Sequence, residues 1–490
     1  MPIRQMQITS LPLFRATWRN PMANPTVAVA TPRPASPNSN IQRSLEGSIP
    51  AVLLGFAVPS LVQMLVQNAV AVIEILFLSR LGTDALAGIS AVSPLATLFI
   101  GITTVGMGGA VSSAVAQSLG AGKSSEADAL AVHAILLSLI FGAASAAILI
   151  GLGPQIYGAL GAKGESLKEA LAYSNIVFGG SVSLWLLGSL TGIVRGMGDM
   201  KSAAWITVFR AVAALPLFLI LIFGWGPIPR FGIIGAAIAM LTYYTFGVIG
   251  MVAHLQSARS TVHLTLSGLR PQRHLFYRIL KVASLSSVQI LVTSIALIAI
   301  TAFVARFGVE ALAGYGLASR LELLIYSLVL ALGVGTTTMV GICVGAGLVE
   351  RARRVTLVSC VLAAAIFGTA GLAVAVSGRW IVEQFTHVEE VVLAASGYFY
   401  VTGFVYSFMA VSVMLFSAYQ GWGRATVPLS TSLLRVAVVL LGGWVILQWP
   451  DPQLYWLYYL VAVSIILSAS TLAIIFAFRP PSTTRKVLSG

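Results

Sequence analysis

The stretch Arg80-Leu81-Gly82-Thr83-Asp84-Ala85-Leu86-Ala87-Gly88 returns 226 residues later as Arg306-Phe307-Gly308-Val309-Glu310-Ala311-Leu312-Ala313-Gly314. The same offset carries Ser60-Leu61-Val62-Gln63-Met64-Leu65 onto Ser286-Ser287-Val288-Gln289-Ile290-Leu291. One residue is then lost. An offset of 225 takes Gly120-Ala121-Gly122 onto Gly345-Ala346-Gly347, Gly196-Met197-Gly198 onto Gly421-Trp422-Gly423, and Arg210 onto Arg435. Five matches in one order with a single indel mark a duplication, so the chain is two copies of one unit.

Composition says what solvent that unit meets. Of 490 residues, 58% are hydrophobic and 9% charged, with a mean hydropathy of +0.93. A soluble domain is about a quarter charged; here the apolar surplus has no compact core large enough to hide it, and lipid must be the missing solvent. Apolar runs of spanning length recur near 50–79, 86–119, 129–152, 170–194, 202–224, 232–253, 277–305, 311–344, 355–377, 391–419, 426–448 and 454–478. Backbone groups in hydrocarbon must bond within their own segment, so these runs predict helices. The expected fold class is an all-α integral membrane protein of about twelve transmembrane helices, in two six-helix lobes related by pseudo-two-fold symmetry. Six is even, so both lobes insert the same way round, with the axis along the membrane normal and a cavity between them. Such lobes rocking about a shared site give alternating access, a geometry that a channel or membrane enzyme would not need.

The net charge of +14 would suit nucleic acid, but the positions of the charges argue otherwise. With the N-terminus placed inside, 20 of the 29 Lys and Arg, Arg195 and Lys123 among them, fall in inside segments and 6 in outside loops. The excess is therefore an orientation signal, with both termini cytoplasmic. The chain divides into a tail at 1–45, a first lobe at 46–256, a cytoplasmic basic linker at 257–275, a second lobe at 276–479 and a tail at 480–490. The first tail carries five Arg, no acid and many Pro, Ser, Thr and Asn, a disordered composition. It also suits an organelle transit peptide or a bacterial extension, and Met22 offers a second start. Cys343 and Cys360, both near the cytoplasmic face, read as small packing residues rather than a disulfide.

The repeated residues also carry a resemblance. The run Ile73-Glu74-Ile75-Leu76-Phe77-Leu78-Ser79-Arg80-Leu81-Gly82, followed by Ala85-Leu86-Ala87-Gly88, resembles the end of the first helix in the multidrug and toxic compound extrusion (MATE) family. Gly120-Ala121-Gly122-Lys123 is similar to that family's second-to-third helix loop, and Arg195-Gly196-Met197-Gly198-Asp199 to its fourth-to-fifth. Phe231-Gly232-Ile233-Ile234-Gly235-Ala236-Ala237-Ile238-Ala239 resembles the start of its sixth helix. Ala318-Ser319-Arg320-Leu321-Glu322 is similar to an Arg-Ile-Glu signature of its DNA-damage-inducible F (DinF) branch. The likeness covers about residues 46–478. It implies export of drugs or metabolites, often cationic and amphipathic, driven by entry of protons or sodium. It also places a cation-coupling acid at Glu74, where the family usually has Asp.

Charge inside a span costs about 2.5–3.5 kcal/mol on insertion scales, so each case needs a reason. Helical steps back from Glu74 reach Gln67 and Gln63 on one face. A Gln-Gln-Glu stripe on an apolar helix is expected to face the cavity, with Asn68 beside it. Desolvation disfavours the charged form of a carboxyl, so Glu74 is suited to load a proton on one side and release it on the other, in competition with a cationic substrate. The plainer alternative is that Glu74 bonds neighbouring helices or reaches the outer interface. Its repeat partner is Ile300, so this acid breaks the symmetry that Arg210 with Arg435 keeps. Those two arginines read as structural, snorkelling to the cytoplasmic interface, and Arg320 as local packing. Glu322 is a candidate second titrating group, and Gln289 and Thr293 further cavity candidates.

Departures from the family favour a proton over sodium. Leu215 stands before Pro216 where coupled members often have Asp, and the acids of the sodium-linked branch near Thr293 and Met409 are missing. A hard cation needs several oxygen ligands. The five histidines show no metal-ligand spacing, and nothing resembles a phosphate-cradling loop, since Gly122-Lys123-Ser124 has Gln117 where such a loop has its first glycine, so neither a metal nor another cofactor is expected. The expected protein is a monomeric antiporter of the cell (inner) membrane, or of an organelle membrane if the tail is a transit peptide. Its partners are a small-molecule substrate, the coupling ion and the lipid bilayer, without nucleic acid. The alternatives are an exporter or flippase of lipid-linked sugars, which needs basic cavity residues, and a membrane-embedded enzyme.

Overall fold

The structure, a computed structural model, describes residues 39–264 and 271–478. A short α1 (Ser39–Glu46) precedes α2 (Ile49–Leu78), which tightens into a 3₁₀ turn at Ser79–Leu81. Next come α3 (Thr83–Gly101) and α4 (Gly108–Gly120), fused through a π turn, then α5 (Ser124–Ala159), α6 (Glu165–Gly179) and α7 (Ser181–Gly196). The first half ends with α8 (Met200–Phe223) and α9 (Ile233–Gln256). The second half holds α10 (Arg273–Val304), closed by a 3₁₀ turn at Ala305–Phe307, α11 (Val309–Gly345), α12 (Val349–Glu383), α13 (Glu389–Gly403), α14 (Tyr406–Gly421), α15 (Thr426–Ile446) and α16 (Leu454–Phe478). Ten helical stretches, α3 and α4 counted as one, are long and apolar enough to cross a bilayer. The pairs α6–α7 and α13–α14, bent by 49° and 59°, bring the number to twelve.

The duplication seen in the sequence is repeated in the backbone. Both 3₁₀ turns stand at the same place, each ended by a glycine at positive φ, Gly82 at 122° and Gly308 at 111°. Gly122 and Gly347 end their helices at 72° and 75°, a left-handed turn that a side chain would strain. Each lobe bends one span at the same repeat position, between Gly179 and Ser181 and between Gly403 and Tyr406. Side chains such as Phe209, 73% exposed, and Val376, 87% exposed, cover the flanks. An apolar surface of this kind belongs in lipid.

Among the described residues two large hydrophobic cores and a small third one follow the lobes, except where segments of α2 and α10, with Met200 and Ala425, are exchanged between the two large ones. Val52, Leu53 and Phe56 of α2 pack in the second core, and Leu275, Ile279, Val282 and Ala283 of α10 pack in the first. Each lobe's leading helix thus starts inside the opposite lobe. The exchange lies at the end of the bundle where α4, α7, α11 and α14 finish and the basic linker runs, here called the basic end.

At that end α4 and α11 cross so closely that only glycine fits. A Cβ on Gly120 would lie 2.1 Å from the Ile342 carbonyl oxygen, and one on Gly345 would lie 1.9 Å from that of Gln117. The offset of 225 relates both pairs, so the contact is reciprocal about the pseudo-axis. Around it Ser113 Oγ donates to the Gln420 carbonyl at 2.6 Å and Gln117 Nε2 to that of Gly421 at 2.7 Å, sealing the lobes together.

Two further segments tie down this face. Ser39–Glu46 is helical, whereas the sequence reading expects a disordered tail up to residue 45; Arg351 Nε donates to the Ser44 carbonyl at 3.0 Å and holds it. The remainder of that tail, the tail from 480 and residues 265–270 of the linker lie outside the described residues. The linker's flanks bond to α5: the His263 amide donates to Asp128 at 2.8 Å, and the Gln272 amide to His133 Nε2 at 2.9 Å.

Asp199 starts α8 as its cap, accepting from the Ser202 amide at 3.1 Å, with His254 Nε2 3.1 Å from its other oxygen. Burial pushes this carboxyl up, but the contacts with His254 and Ser202 outweigh it and hold it below the ordinary aspartate range. The stability it lends is therefore present at neutral pH and lost as pH falls through that lowered value. Asp199→Ala should cost about 1 kcal/mol at pH 7 in thermal unfolding, with the deficit shrinking below about pH 4; a deficit that persists in acid would contradict this role. Gly345→Val should force α4 and α11 apart and expose Ala116 of α4, which packs against Gly341 of α11 and is fully buried. With Ala116→Cys in a Cys343→Ser, Cys360→Ala background, the reaction of that thiol with a maleimide should quicken at least tenfold, and an unchanged rate would mean that the crossing does not close this end.

Candidate functional site

Above the sealed crossing the lobes part. A small space opens between them, floored by residues of α4, α7, α11 and α14 with Met64 of α2 on its side. Its floor straddles the pseudo-axis: Ser112 faces its repeat partner Thr337, and Arg195 its partner Gln420. Where the π turn ends, Gly108 and Gly109 let α7 and the Gln420 side chain pack closely, since a Cβ on either would lie within 2.7 Å of Gly188 or Gln420. Met64, Leu330, Val334 and Phe416 supply an apolar wall. Gln420 is held by its own bonds, donating from Nε2 to the Val105 carbonyl at 2.9 Å and to Ser286 at 3.2 Å.

The polar stripe of α2 meets the bent α6–α7 span of its own lobe. Gln63, 2% exposed, accepts from Arg195 Nη2 at 2.8 Å. Glu74, 5% exposed, accepts from the Tyr173 hydroxyl at 2.5 Å. Gln67 is half-buried between them. The stripe does not line the central cavity along its length, as the sequence reading expects, because its partners stand inside the first lobe. Asn68, one position round, does face the other lobe and donates to Ser327 at 3.2 Å.

The second lobe holds a matching pair. Glu322 of α11 accepts from the Tyr398 hydroxyl at 2.5 Å. Tyr173 and Tyr398 are repeat partners at 225, yet their acids come from α2 and α11, which are not equivalent helices. Glu74 is therefore alone at its own repeat position, where Ile300 is buried, but not alone as a carboxylate held by tyrosine.

The other expected residues scatter. Arg210 does not reach an interface: it is 3% exposed, with its guanidinium 4.1 Å from the centre of the Tyr243 ring. Its repeat partner Arg435 is half-buried, with Nε unpartnered. Burial in mid-span rather than snorkelling follows from position, since Arg210 lies ten residues inside α8, about 15 Å from its start. Thr293 is exposed and returns its hydroxyl to the Gln289 carbonyl, while Gln289 Oε1 is buried without a partner. Arg320 is exposed. Among the described residues, no three His, Cys, Asp or Glu gather as a metal site.

Arg195 was missed as a site residue. Its place beside a Gly-Met-Gly turn reads as a loop charge, but it closes α7 from within and is 5% exposed. The tyrosines were legible in principle, because the offset that pairs Arg210 with Arg435 also pairs Tyr173 with Tyr398.

This arrangement has known counterparts. The MatE family model matches residues 59–220 and again 286–445, one segment in each repeat. A relative from Shewanella oneidensis described as an FAD transporter is 27% identical over 402 residues, 81% of this chain and 88% of its own. A probable multidrug resistance protein NorM from Thermotoga maritima is 22% identical over 80% of this chain and 88% of its own. Among solved structures, a MOP-superfamily transporter from Pyrococcus furiosus superposes with a TM-score of 0.83 at 22% identity, covering 90% of this chain and 98% of that one. Two copies of one six-span unit, matched by the same model in each copy, place this multi-pass membrane protein in the MatE family of multidrug transporters.

Proposed function

We propose that this chain is an antiporter of the cell membrane that exports a small organic solute against entering protons, with Glu74 as the proton carrier. The observation that carries this reading is Glu74 itself, a buried carboxylate bonded to Tyr173 on α2, a helix that packs extensively on both α8 of its own lobe and α11 of the other. Loading a proton there changes the charge on the helix that links the lobes. A bistable pair of lobes can convert such a local change into a shift of access.

The bias of Lys and Arg puts the basic end in the cytoplasm. The crossing of α4 and α11 then closes the cytoplasmic side while the cleft above it opens outward, the state in which an exporter releases cargo and takes up a proton. A tyrosine hydroxyl as the acid's partner, rather than a shell of several oxygens, fits a proton better than sodium. The relatives described as multidrug resistance proteins and as an FAD transporter both handle organic solutes, so the cargo class is drawn from organic compounds rather than inorganic ions.

In inverted vesicles with an acid interior, Glu74→Gln should cut proton-driven uptake at least tenfold at normal expression; undiminished uptake would remove Glu74 from the mechanism. Exchanging sodium for choline should change the wild-type rate less than twofold, and a steep sodium dependence would overturn the proton assignment.

A further inference from the structure

The floor of the cleft carries a charge that its fold does not require. Arg195 is the only ionisable residue lining it. An arginine stays protonated in proteins, and a buried cation is costly unless it is paired. Arg195 has one neutral partner, Gln63, and its Nε has none. Arg210, whose like charge reaches Arg195, is equally buried and leaves Nε and Nη1 without partners. Among the described residues, no carboxylate lies within ion-pair distance of either. Glu74 stands eleven residues beyond Gln63 on α2, about 16 Å along the helix.

The repeat supplies an internal control. At the position of Arg195 the second lobe has Gln420, equally buried at 3% against 5% and built into the same floor. A neutral amide therefore satisfies the packing of this unit at that point. The charge is extra to the fold, and it sits where cargo would enter, beside Ser112, Thr337 and Ser417 on the same floor.

We infer that the cleft floor is an anion subsite: Arg195 takes the phosphate or carboxylate of an organic anion, whose apolar body lies against Met64, Leu330 and Phe416. This rests on the exporter reading for the cleft as the cargo path, and replaces the cationic cargo expected from sequence. Because the acid and the subsite are separate, proton and cargo need not compete for one group; α2, which carries both Glu74 and Gln63, connects them.

Flavin mononucleotide and riboflavin share a ring and differ by one phosphate, and ethidium is a comparable cation. In proton-loaded vesicles of phosphatidylcholine holding the purified protein, flavin mononucleotide should enter at least tenfold faster than riboflavin or ethidium. Arg195→Gln, the residue the other repeat already uses, should remove roughly 10- to 100-fold of that uptake while leaving riboflavin uptake within twofold, and Arg195→Lys should restore part of it. Equal loss for both flavins would mark Arg195 as structural and overturn the subsite. Riboflavin or ethidium driven by the gradient without flavin mononucleotide would also overturn it, with the exporter reading intact; no gradient-driven uptake of any of the three would fail the exporter reading instead. Flipping of labelled phosphatidylglycerol in place of flavin mononucleotide uptake would overturn the solute assignment by showing a lipid as the source of the anion.

Discussion

Everything in this bundle hangs from the crossing of α4 and α11, where two glycines let two helices touch carbonyl to backbone about the pseudo-axis. Helix association in lipid gains little from burying apolar surface, because the tails outside are as apolar as the helix; close approach at small residues and interhelical hydrogen bonds supply the attraction. The crossing provides both. Gly120 and Gly345 bring the backbones together, and Ser113 and Gln117 then reach carbonyls of the opposite lobe that a wider separation would leave unbonded. A contact made of backbone approach and short bonds is either formed or broken. That is the property needed of a seal that must open as a unit, and it leaves the rest of each lobe free to move as a body.

A symmetric frame makes asymmetry informative. The turns, the bent spans and the reciprocal glycines obey the repeat, at an offset of 226 or, after one lost residue, 225, and belong to the architecture. Several polar positions do not obey it, and three bear on the site. Glu74 faces Ile300 across the repeat, Glu322 has only Ala96 or Thr97 as its counterpart, and Arg195 is answered by Gln420. Each of these charges sits in a span where its repeat partner shows that an uncharged residue serves the packing. Charge within the membrane is held against a standing cost, so the departures from symmetry are where function is to be sought.

The fold was legible in the sequence because lipid removes most alternatives. Long apolar runs must be helices, and the offset that pairs Arg80 with Arg306 already contained the two lobes. What the sequence could not carry is which way each helix face turns. The spacing of Gln63, Gln67 and Glu74 puts them on one stripe, but whether that stripe meets the cavity or its own lobe depends on the bend between α6 and α7, which brings Tyr173 and Arg195 onto it. The exchange of α2 and α10 between cores was hidden for the same reason: apolar residues at 52–56 and 275–283 look alike whichever core receives them. Position along a helix misled in two cases. By its neighbours Arg195 reads as a loop charge, and Arg210 as a snorkelling one, though a depth of about 15 Å exceeds what its side chain spans.

The charges inside the first lobe bear on how coupling can work. A single carboxylate serving both proton and cationic cargo would have to be reached by both, yet Glu74 is 5% exposed and turned onto Tyr173, away from the cleft floor. The group that does meet the floor is positive. On the proposed reading, proton and cargo are handled at different levels of one helix, joined by the segment of α2 from Gln63 to Glu74. Exchange then depends on α2 changing its seat between the lobes, rather than on one ligand displacing the other from a shared atom.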